Sequence, residues 1–326
     1  MNISGKKFVV IGGAGLIGSH TIDKLLLEDV KEVIVYDNFV RGKHENLKEA
    51  VKDPRLKIYE IGGDITNTDI LDSALMNADG VFHFAALWLL QCHEYPRSAF
   101  DVNIRGTFNV LEACVKNNVK KIVFSSSASV YGDAKYEPID EEHPYDSKNF
   151  YGATKICCEA MLKSFYHRYN LDYVALRYMN VYGVRQDYHG AYIAVIMKMI
   201  DSIIDDKNPT IFGDGNESFD FVSVKDCAYA NILAMKSKAT NQNLNVGTGV
   251  STSLRSLAEL IIKLTNFKGK INYVPQSNKT LVKNRVGSIH KAKNVIDFKS
   301  QISIEEGLKD VLRWRFSEAK REIDIE

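Results

Sequence analysis

The chain has 326 residues, with 42 lysines and arginines against 41 aspartates and glutamates, for a formal net charge of +1. This length allows two domains of ordinary size and a core that covers most of the unfolded surface. A hydrophobic content of 45% and a charged content of 25% are globular averages, so the composition excludes a disordered or fibrous chain. The charge balance excludes a broad basic surface for nucleic acid or for an anionic membrane.

The five cysteines are scattered along the chain and form no motif with metal-ligand spacing, which favours a reducing compartment and no metal site. The first residues lack the apolar core and cleavage site of a secretory signal peptide. The longest apolar run, from Val81 to Cys92, is shorter than the ~18 residues that span a bilayer. We therefore expect a soluble cytoplasmic protein that does not enter a membrane.

From residue 7 to about residue 178, short β-branched runs alternate with longer segments of helical periodicity. This rhythm is typical of βαβ units in a parallel sheet. The runs are almost continuously apolar, which indicates strands covered by helices on both faces. The predicted strands are Phe8–Ile11, Val33–Tyr36, Leu56–Ile61, Val81–Phe84, Lys121–Phe124 and Tyr173–Leu176.

After about residue 180 the regular alternation of strands and helices ends, and isolated strands, glycine-rich turns and helices follow. The sequence therefore predicts an α/β fold, with a Rossmann-type doubly wound parallel sheet in residues 1–178 and a smaller C-terminal α/β substrate-binding lobe in residues 179–326. Exchange of a strand or helix between the lobes stays open, and we expect the lobes to pack around a cleft. The elements predicted in the second lobe are strands Thr210–Phe212 and Asn272–Val274 and helices Ser253–Leu264 and Ser303–Trp314.

The first strand runs directly into a glycine-rich turn, Gly12 to Gly18, and then into a helical stretch. Such glycines permit a tight turn and let backbone N–H groups approach a pyrophosphate at the positive end of the helix. A glycine-rich turn alone is also compatible with a crowded strand-to-helix turn that binds no ligand. The next strand ends on Asp37, 19 residues beyond Gly18, where a carboxylate binds an adenosine ribose and repels a 2′-phosphate. Together these features predict NAD; Arg41 would favour NADP unless it is a solvated surface charge.

Hydroxyl side chains cluster directly after the predicted strand Lys121–Phe124, in a stretch that includes Ser127. In a doubly wound sheet the chemistry lies beyond the carboxyl ends of the strands. Tyr151 and Lys155, four residues apart, share one helix face. A lysine ammonium beside a phenol favours the phenolate, so we expect the tyrosine pKa to fall from its usual value of about 10 towards neutrality. The phenolate would be a general base for a sugar or alcohol hydroxyl.

A second pair with the same spacing, Tyr131 and Lys135, contains turn residues that should break a helix. Because tyrosine and lysine are both common here, the spacing alone is weak evidence. Tyr151 and Lys155 instead open the stretch Ile156–Tyr169, whose apolar spacing and lack of proline predict a helix. We therefore select Tyr151 and Lys155 as the functional pair.

As an ordered set, these motifs resemble those of the extended short-chain dehydrogenase/reductases. The chain is most similar to their NAD-dependent sugar-nucleotide epimerase/dehydratase branch, and the resemblance covers essentially the whole chain. It rests on the glycine-rich turn, Asp37, the Ser127 strand end, the Tyr151/Lys155 pair and several further segments. These segments are Gly63-Asp64-Ile65, Phe82-His83-Phe84-Ala85-Ala86, Asn103, Leu176 to Gly183, Gly213-Asp214-Gly215, Phe221 to Asp226 and Ser303 to Trp314.

The resemblance implies a catalytic set of Ser127, Tyr151 and Lys155. It also implies a cofactor site in which the glycine-rich turn lines the pyrophosphate and Asp37 and Asn38 line the ribose. The expected cofactor-binding residues are Gly12, Gly15, Leu16, Ile17, Asp37, Asn38, Asp64, Ile65, Ala85, Asn103, Tyr151, Lys155 and Tyr178.

For the substrate, the resemblance places Asn180 and Arg285 near the phosphates and Phe212 near the nucleotide base. Asn180 would otherwise cap a turn, and Arg285 would otherwise be a solvated charge. Many relatives have an arginine where this chain has Phe219, and we expect Arg185 to replace it. Trp88 either walls the sugar pocket or belongs to the core. The expected substrate-binding residues are Trp88, Ser127, Asn180, Arg185, Phe212 and Arg285.

The sequence thus predicts NAD-dependent oxidation at C4 of a nucleotide-linked sugar, with a sugar-nucleotide 4-epimerase as the preferred function. One alternative is a 4-dehydrogenase or reductase that releases a 4-keto sugar. Another, of a different class, is a non-catalytic NAD-binding sensor, which would not need Ser127, Tyr151 and Lys155. The resemblance also implies a homodimer formed by the helices near Val102–Val115 and Lys155–His167.

Overall fold

A parallel seven-stranded sheet forms the centre of the larger lobe in the computed structural model, which describes residues 1–189, 194–275, 283–323 and 325. Its strand order is β11-β6-β5-β4-β1-β2-β3. The strands are β1 Lys7–Ile11, β2 Glu32–Tyr36, β3 Leu56–Ile58, β4 Gly80–His83, β5 Lys121–Ser127, β6 Asp172–Tyr178 and β11 Gln242–Val246.

Helices cover both faces of this sheet, and each face has its own apolar cluster. The fold is the expected α/β, Rossmann-type architecture. The helices in the described residues are α1 Leu16–Leu26, α2 Thr68–Ala74, α3 Leu89–Glu94, α4 Pro96–Ala99, α5 Thr107–Lys116, α6 Phe150–Tyr169, α7 Val195–Ile204, α8 Val224–Lys236, α9 Leu254–Leu264, α10 His290–Ile296 and α11 Ile304–Glu318. There is also a π-helix at Phe100–Gly106, and 3₁₀ turns lie at His44–Leu47, Ala50–Lys52 and Ala128–Val130.

The six strands predicted in the first half are confirmed, with differences at their ends. Strand β3 stops at Ile58 instead of Ile61, and β5 continues through the serines to Ser127. The extension forms because Ser125 to Ser127 pair in register with Leu176 to Tyr178 of β6. The catalytic serine candidate is thereby the last residue of a central strand.

Two elements from beyond residue 179 belong to the larger lobe. Strand β11 pairs in parallel with β6, where Leu244 and Val246 are fully buried. Helix α8 packs against α1, and Asn231 donates to Thr21 Oγ1 at 3.1 Å between them. The chain therefore returns from the second lobe to complete the main sheet.

The second lobe consists of α7, α9 and α11 packed around a separate apolar cluster, with short strand pairs at its edge. The predicted strands Thr210–Phe212 and Asn272–Val274 are confirmed at the same residues. Ser253 and Ser303 prove to be N-caps, since their side chains accept backbone N–H bonds from the first turns of α9 and α11. The short strands are β7 Asn180–Tyr182, β8 Thr210–Phe212, β9 Ser218–Phe219, β10 Phe221–Ser223, β12 Thr252–Ser253, β13 Asn272–Val274 and β14 Asn284–Arg285.

Among the described residues, no helix combines the length and the apolar character needed to cross a membrane.

Candidate active site

A cavity of about 570 Å³ opens beyond the carboxyl ends of the central strands. It is bordered by the glycine-rich turn, by the ends of β2, β4, β5 and β6, and by residues of the second lobe after β7. Most of the residues predicted from the sequence meet here. Those that line it are Gly12, Gly15, Leu16, Ile17, Asp37, Asn38, Asp64, Ile65, Ala85, Trp88, Ser127, Tyr151, Lys155, Tyr178, Asn180 and Arg185.

The glycine-rich turn is shaped so that a dinucleotide diphosphate fits against it. Gly12 has a φ of +75°, and a Cβ at Gly18 would overlap the carbonyl oxygen of Gly12. Gly15 is the N-cap of α1 and has no side chain to bond the first helical turn. The N–H groups of that turn are therefore available to an anion, which the positive end of the helix also attracts.

Asp37 ties the end of β2 to the glycine-rich turn. Its Oδ2 accepts the Ala14 N–H at 2.8 Å and its Oδ1 accepts the Phe39 N–H at 2.8 Å. Burial raises the pKa of this carboxyl, although the two N–H bonds favour its charged form. Gly63 packs directly on the Asp37 backbone, where a Cβ would collide. The carboxylate is thus held rigidly at the cavity wall, where it suits an adenosine ribose.

Ser127, Tyr151 and Lys155 converge on one wall of the cavity. Tyr151 lies in the first turn of α6, whose N-cap Asn149 accepts the Gly152 N–H at 2.8 Å. The hydroxyls of Tyr151 and Ser127 are hydrogen-bonded. Lys155 Nζ donates to the Ser125 carbonyl at 2.6 Å and lies 5.6 Å from the centroid of the Tyr151 ring. The arrangement can move a proton at the Tyr151 hydroxyl.

The pKa of Tyr151 differs from the prediction. Burial raises it to about 12, and the hydrogen bond from Ser127 only partly opposes this effect. Burial also lowers the pKa of Lys155. The expected fall of the Tyr151 pKa towards neutrality was wrong for the protein alone, because desolvation of the phenol outweighs the neighbouring charges. Further positive charge is needed at this wall before Tyr151 becomes a phenolate at neutral pH.

A buried ion pair that the sequence did not predict packs behind the cavity wall that carries Ser127, Tyr151 and Lys155. Glu159 accepts from Arg177 Nη2 at 2.7 Å and from Arg177 Nε at 2.9 Å, and both side chains are only 2% exposed. Glu159 also accepts the Ser126 hydroxyl at 2.6 Å, one residue before Ser127. The one indication in the sequence is spacing: Glu159 follows Lys155 by four residues, which places both on the same face of the helix. The pair fixes α6 against β5 and β6.

Two of the expected cofactor residues have side chains committed elsewhere. Asn103 does not line the cavity: its amide accepts the Leu87 N–H at 2.7 Å and donates to the Leu87 carbonyl at 2.9 Å and to Thr154 Oγ1 at 3.1 Å. Tyr178 borders the cavity, but its hydroxyl donates to Asn231 Oδ1 at 2.7 Å. Asn103 therefore couples the loop after β4 to α6 between Tyr151 and Lys155.

The expected substrate residues divide between two places. Asn180 and Arg185 line the main cavity, and Arg185 Nη1 forms an ion pair with Asp23 Oδ2 on α1 at 2.8 Å. Phe212 is 60% exposed and, with Phe219, borders a second cavity of about 160 Å³ in the smaller lobe. Arg185 is therefore anchored at the cofactor side of the cleft, away from Phe219.

Arg285 lines neither of the two cavities. It pairs in register with Phe219, and its Nη2 donates to the Gly132 carbonyl at 3.3 Å. Its Nε is buried without a hydrogen-bond partner among the described residues. Burial lowers the pKa of Arg285 to about 10, with Asp133 opposing the shift. This partly buried guanidinium, with an unpaired Nε among the described residues, suits an anionic ligand.

Tyr131, of the pair that was not selected, and His83 both take structural positions in the core. Tyr131 is fully buried, where its hydroxyl donates to Asn245 Oδ1 at 2.7 Å and accepts from Arg177. His83 Nε2 lies 3.0 Å from Thr107 Oγ1 in the core, and burial lowers its pKa to about 3.

Trp88 borders the main cavity instead of the core, with the Arg41 guanidinium over its ring.

Comparison with known proteins identifies the class that this fold and site define. The model of the NAD dependent epimerase/dehydratase family matches residues 8–247. The chain belongs to this family. It is similar to the solved UDP-N-acetylglucosamine 4-epimerase from Methanobrevibacter ruminantium M1 in complex with UDP-N-acetylmuramic acid, with 37% identity, a TM-score of 0.91 and coverage of 97% of this chain and 99% of that one.

Two further relatives extend the match. The UDP-glucose 4-epimerase of Thermotoga maritima with UDP-glucose is 33% identical, with a TM-score of 0.89, over 96% of this chain and 99% of that chain. The UDP-glucuronate 4-epimerase of Thermodesulfobacterium geofontis is 33% identical over 94% of this chain and 95% of its own length. These relatives support the prediction of an NAD-dependent sugar-nucleotide 4-epimerase, and membership of the family confirms NAD as the cofactor.

Proposed function

We propose that this protein is a UDP-sugar 4-epimerase in which Ser127, Tyr151 and Lys155 carry the proton transfer. The observation that carries the proposal is the hydrogen-bonded Ser127–Tyr151 pair, with Lys155 beside it, on the wall of the cavity that also contains the glycine-rich turn. UDP is supported by the relatives, of which two were solved with UDP-sugars.

The side chains at the cavity wall suggest how the reaction proceeds. When bound in its oxidised form, NAD supplies the hydride acceptor and the positive charge of its nicotinamide ring. Tyr151 removes the proton from the sugar 4-hydroxyl, while Ser127 holds that oxygen by a hydrogen bond. Lys155, anchored on the Ser125 carbonyl, keeps a positive charge close to the phenol. Inversion requires the sugar to turn over in the cavity before Tyr151 returns the proton.

Arg285 and Asn180 would hold the substrate diphosphate in this proposal. Arg285 is partly buried, its buried Nε lacks a partner among the described residues, and it pairs with Phe219 across β14 and β9. A guanidinium in this state gains most from a bidentate phosphate contact. The second cavity, which Phe212 and Phe219 both line, would take the nucleotide base. Arg185, paired with Asp23, would contribute its charge from the opposite wall.

We also propose that the protein is a cytoplasmic homodimer. Large apolar side chains remain exposed near the helices implied in assembly, including Phe100 at 45%, Phe108 at 39% and Phe150 at 38%. Burying such a patch against a second copy would stabilise a dimer. All five cysteines are free thiols, which supports a reducing compartment. Light scattering of the purified protein would measure the assembly state.

The test is a panel of UDP-, GDP-, CDP- and dTDP-linked sugars incubated with the purified holoenzyme. NADH absorbance and the product stereochemistry at C4, read by NMR, are followed together. Epimerised UDP-sugar without net NADH supports the proposal. Stoichiometric NADH with release of a 4-keto sugar would indicate a dehydrogenase, and absence of turnover on every sugar would indicate a sensor. Tyr151→Phe is the matched control for the chemistry.

A further inference from the structure

One face of α6 contacts three consecutive serines at the end of β5, Ser125 to Ser127. Tyr151 is hydrogen-bonded to the last of these serines, Lys155 Nζ donates to the carbonyl of the first at 2.6 Å, and Glu159 Oε1 accepts the hydroxyl of the middle one at 2.6 Å. Residues four apart on a helix lie on the same face, so the three α6 residues form a row. Lys155 and Glu159 are each 3% exposed, and their contacts therefore fix α6 against β5 inside the protein.

The carboxylate of Glu159 is held by groups from three further segments. Its Oε2 accepts from Arg177 Nη2 on β6 at 2.7 Å, from the Tyr145 hydroxyl ahead of α6 at 2.9 Å and from Asn243 Nδ2 on β11 at 2.9 Å. Its Oε1 accepts from Arg177 Nε at 2.9 Å as well as from the Ser126 hydroxyl. A carboxylate has about four lone-pair sites, so both oxygens of Glu159 are fully occupied. The carboxylate is therefore a fixed point, and the Ser126 hydroxyl ties the end of β5 to it.

The position of Ser127 depends on that of Ser126, because the two residues are neighbours in the chain and their Cα atoms are about 3.8 Å apart. Ser127 Oγ accepts the Ser129 N–H at 3.1 Å, which leaves its hydroxyl proton for Tyr151. The Ser127–Tyr151 hydrogen bond therefore depends on where the end of β5 lies relative to α6. A misplacement of about 1 Å at a reacting group can cost roughly 10²-fold in rate.

We propose that Glu159 is a positioning residue for the proton transfer, and that it holds Ser127 at hydrogen-bond distance from Tyr151 through the Ser126 hydroxyl. The inference rests on the proposed function, because that function assigns the proton transfer to Ser127 and Tyr151. Glu159 does not line the main cavity, so its effect on the reaction passes through Ser126. The bond from Asn243 reaches the same carboxylate from β11, so its loss should affect stability and not the reaction.

The test compares two variants of the NAD-loaded protein that each remove one hydrogen bond to the Glu159 carboxylate. Ser126→Ala breaks the bond from β5 and should lower kcat for the UDP-sugar roughly 10-fold, with KM and NAD retention unchanged. Asn243→Ala, the matched control, breaks the bond from β11 and should lower Tm by an amount similar to Ser126→Ala, with kcat unchanged. Glu159→Gln should lower kcat at least as far as Ser126→Ala; if it does not fold, Ser126→Ala decides the question.

A second measurement on the same variants does not need turnover. The phenolate of Tyr151 in the holoenzyme is titrated by ultraviolet difference absorbance against Tyr151→Phe. The hydrogen bond from Ser127 lowers the pKa of Tyr151, so Ser126→Ala should move the midpoint to higher pH and Asn243→Ala should not. The other titratable groups that face Tyr151 among the described residues are Lys155 and Cys158 on α6, Cys92 on α3 and Arg41 after β2, and both variants keep them.

Two results would overturn the proposal. One is an equal kcat for Ser126→Ala and Asn243→Ala, and the other is a phenolate midpoint that does not move in Ser126→Ala. An unmodified protein that epimerises no sugar would instead contradict the proposed function, and the titration would still decide whether Glu159 acts on Tyr151 through Ser126.

Discussion

Removal of the Glu159 carboxylate should destabilise the protein strongly, because it leaves the Arg177 guanidinium charged and buried. Glu159 accepts five hydrogen bonds, two from Arg177 and one each from Ser126, Tyr145 and Asn243. Breaking a buried pair from one side costs about 3–5 kcal/mol. For Glu159→Ala we therefore expect a loss of about 3–5 kcal/mol in the free energy of unfolding, and a fall in Tm of roughly 4–7 °C for a chain of this length.

The assay is urea unfolding followed by circular dichroism, with calorimetry for Tm. The control is Asp310→Ala, which breaks the ion pair with Lys225, where the nitrogen–oxygen distance is a similar 2.6 Å but the side chains are 39% and 46% exposed. Its cost should stay below about 1 kcal/mol because water screens the exposed pair. Equal losses for the two variants would refute the argument that burial, not distance, decides the energy.

Three other predictions concern the site. Tyr151→Phe should keep NAD binding and lower kcat by at least ~10²-fold, because phenylalanine has no hydroxyl to take up the sugar proton. An unchanged kcat would show that Tyr151 is not the general base. In cofactor-free protein the Tyr151 pKa of about 12 means that ultraviolet difference titration against Tyr151→Phe should show no phenolate near neutral pH. Arg285→Ala should raise KM for the nucleotide sugar roughly 10-fold with NAD binding intact. An unaltered KM would show that Arg285 does not bind the substrate and has a structural role.

Local physical constraints explain why much of the fold and of the site could be predicted. Gly12 and Gly18 are required by the turn itself, because Gly12 has a φ of +75° and a side chain at Gly18 would meet backbone atoms of Gly12 and Gly13. Five of the six predicted strands are largely buried, mostly apolar runs, with β3 as the exception, and their hydrophobic pattern is visible without any partner. The Tyr151/Lys155 spacing places both side chains on one helix face wherever that helix lies.

Other features depend on partners that lie far away in the chain. Strand β11 joins the main sheet through β6, and nothing in its own sequence, Gln242 to Val246, specifies that neighbour. The amide of Asn103 is committed to Leu87 and Thr154, which only the folded π-helix brings within reach. A family resemblance predicts where such a residue lies along the chain, but it does not predict which way the side chain points.

The sequence by itself determined the near-neutral charge, the parallel sheet, the glycine-rich turn and the Tyr151/Lys155 pair, because each is set by composition or by residues within a few turns of one another. Only the tertiary structure decided the pKa of Tyr151, the burial of Arg285 and the meeting of Arg41 with Trp88 and Asp187. Burial and charge proximity are properties of the whole packed chain. Desolvation can therefore reverse a pKa shift that the sequence spacing predicts.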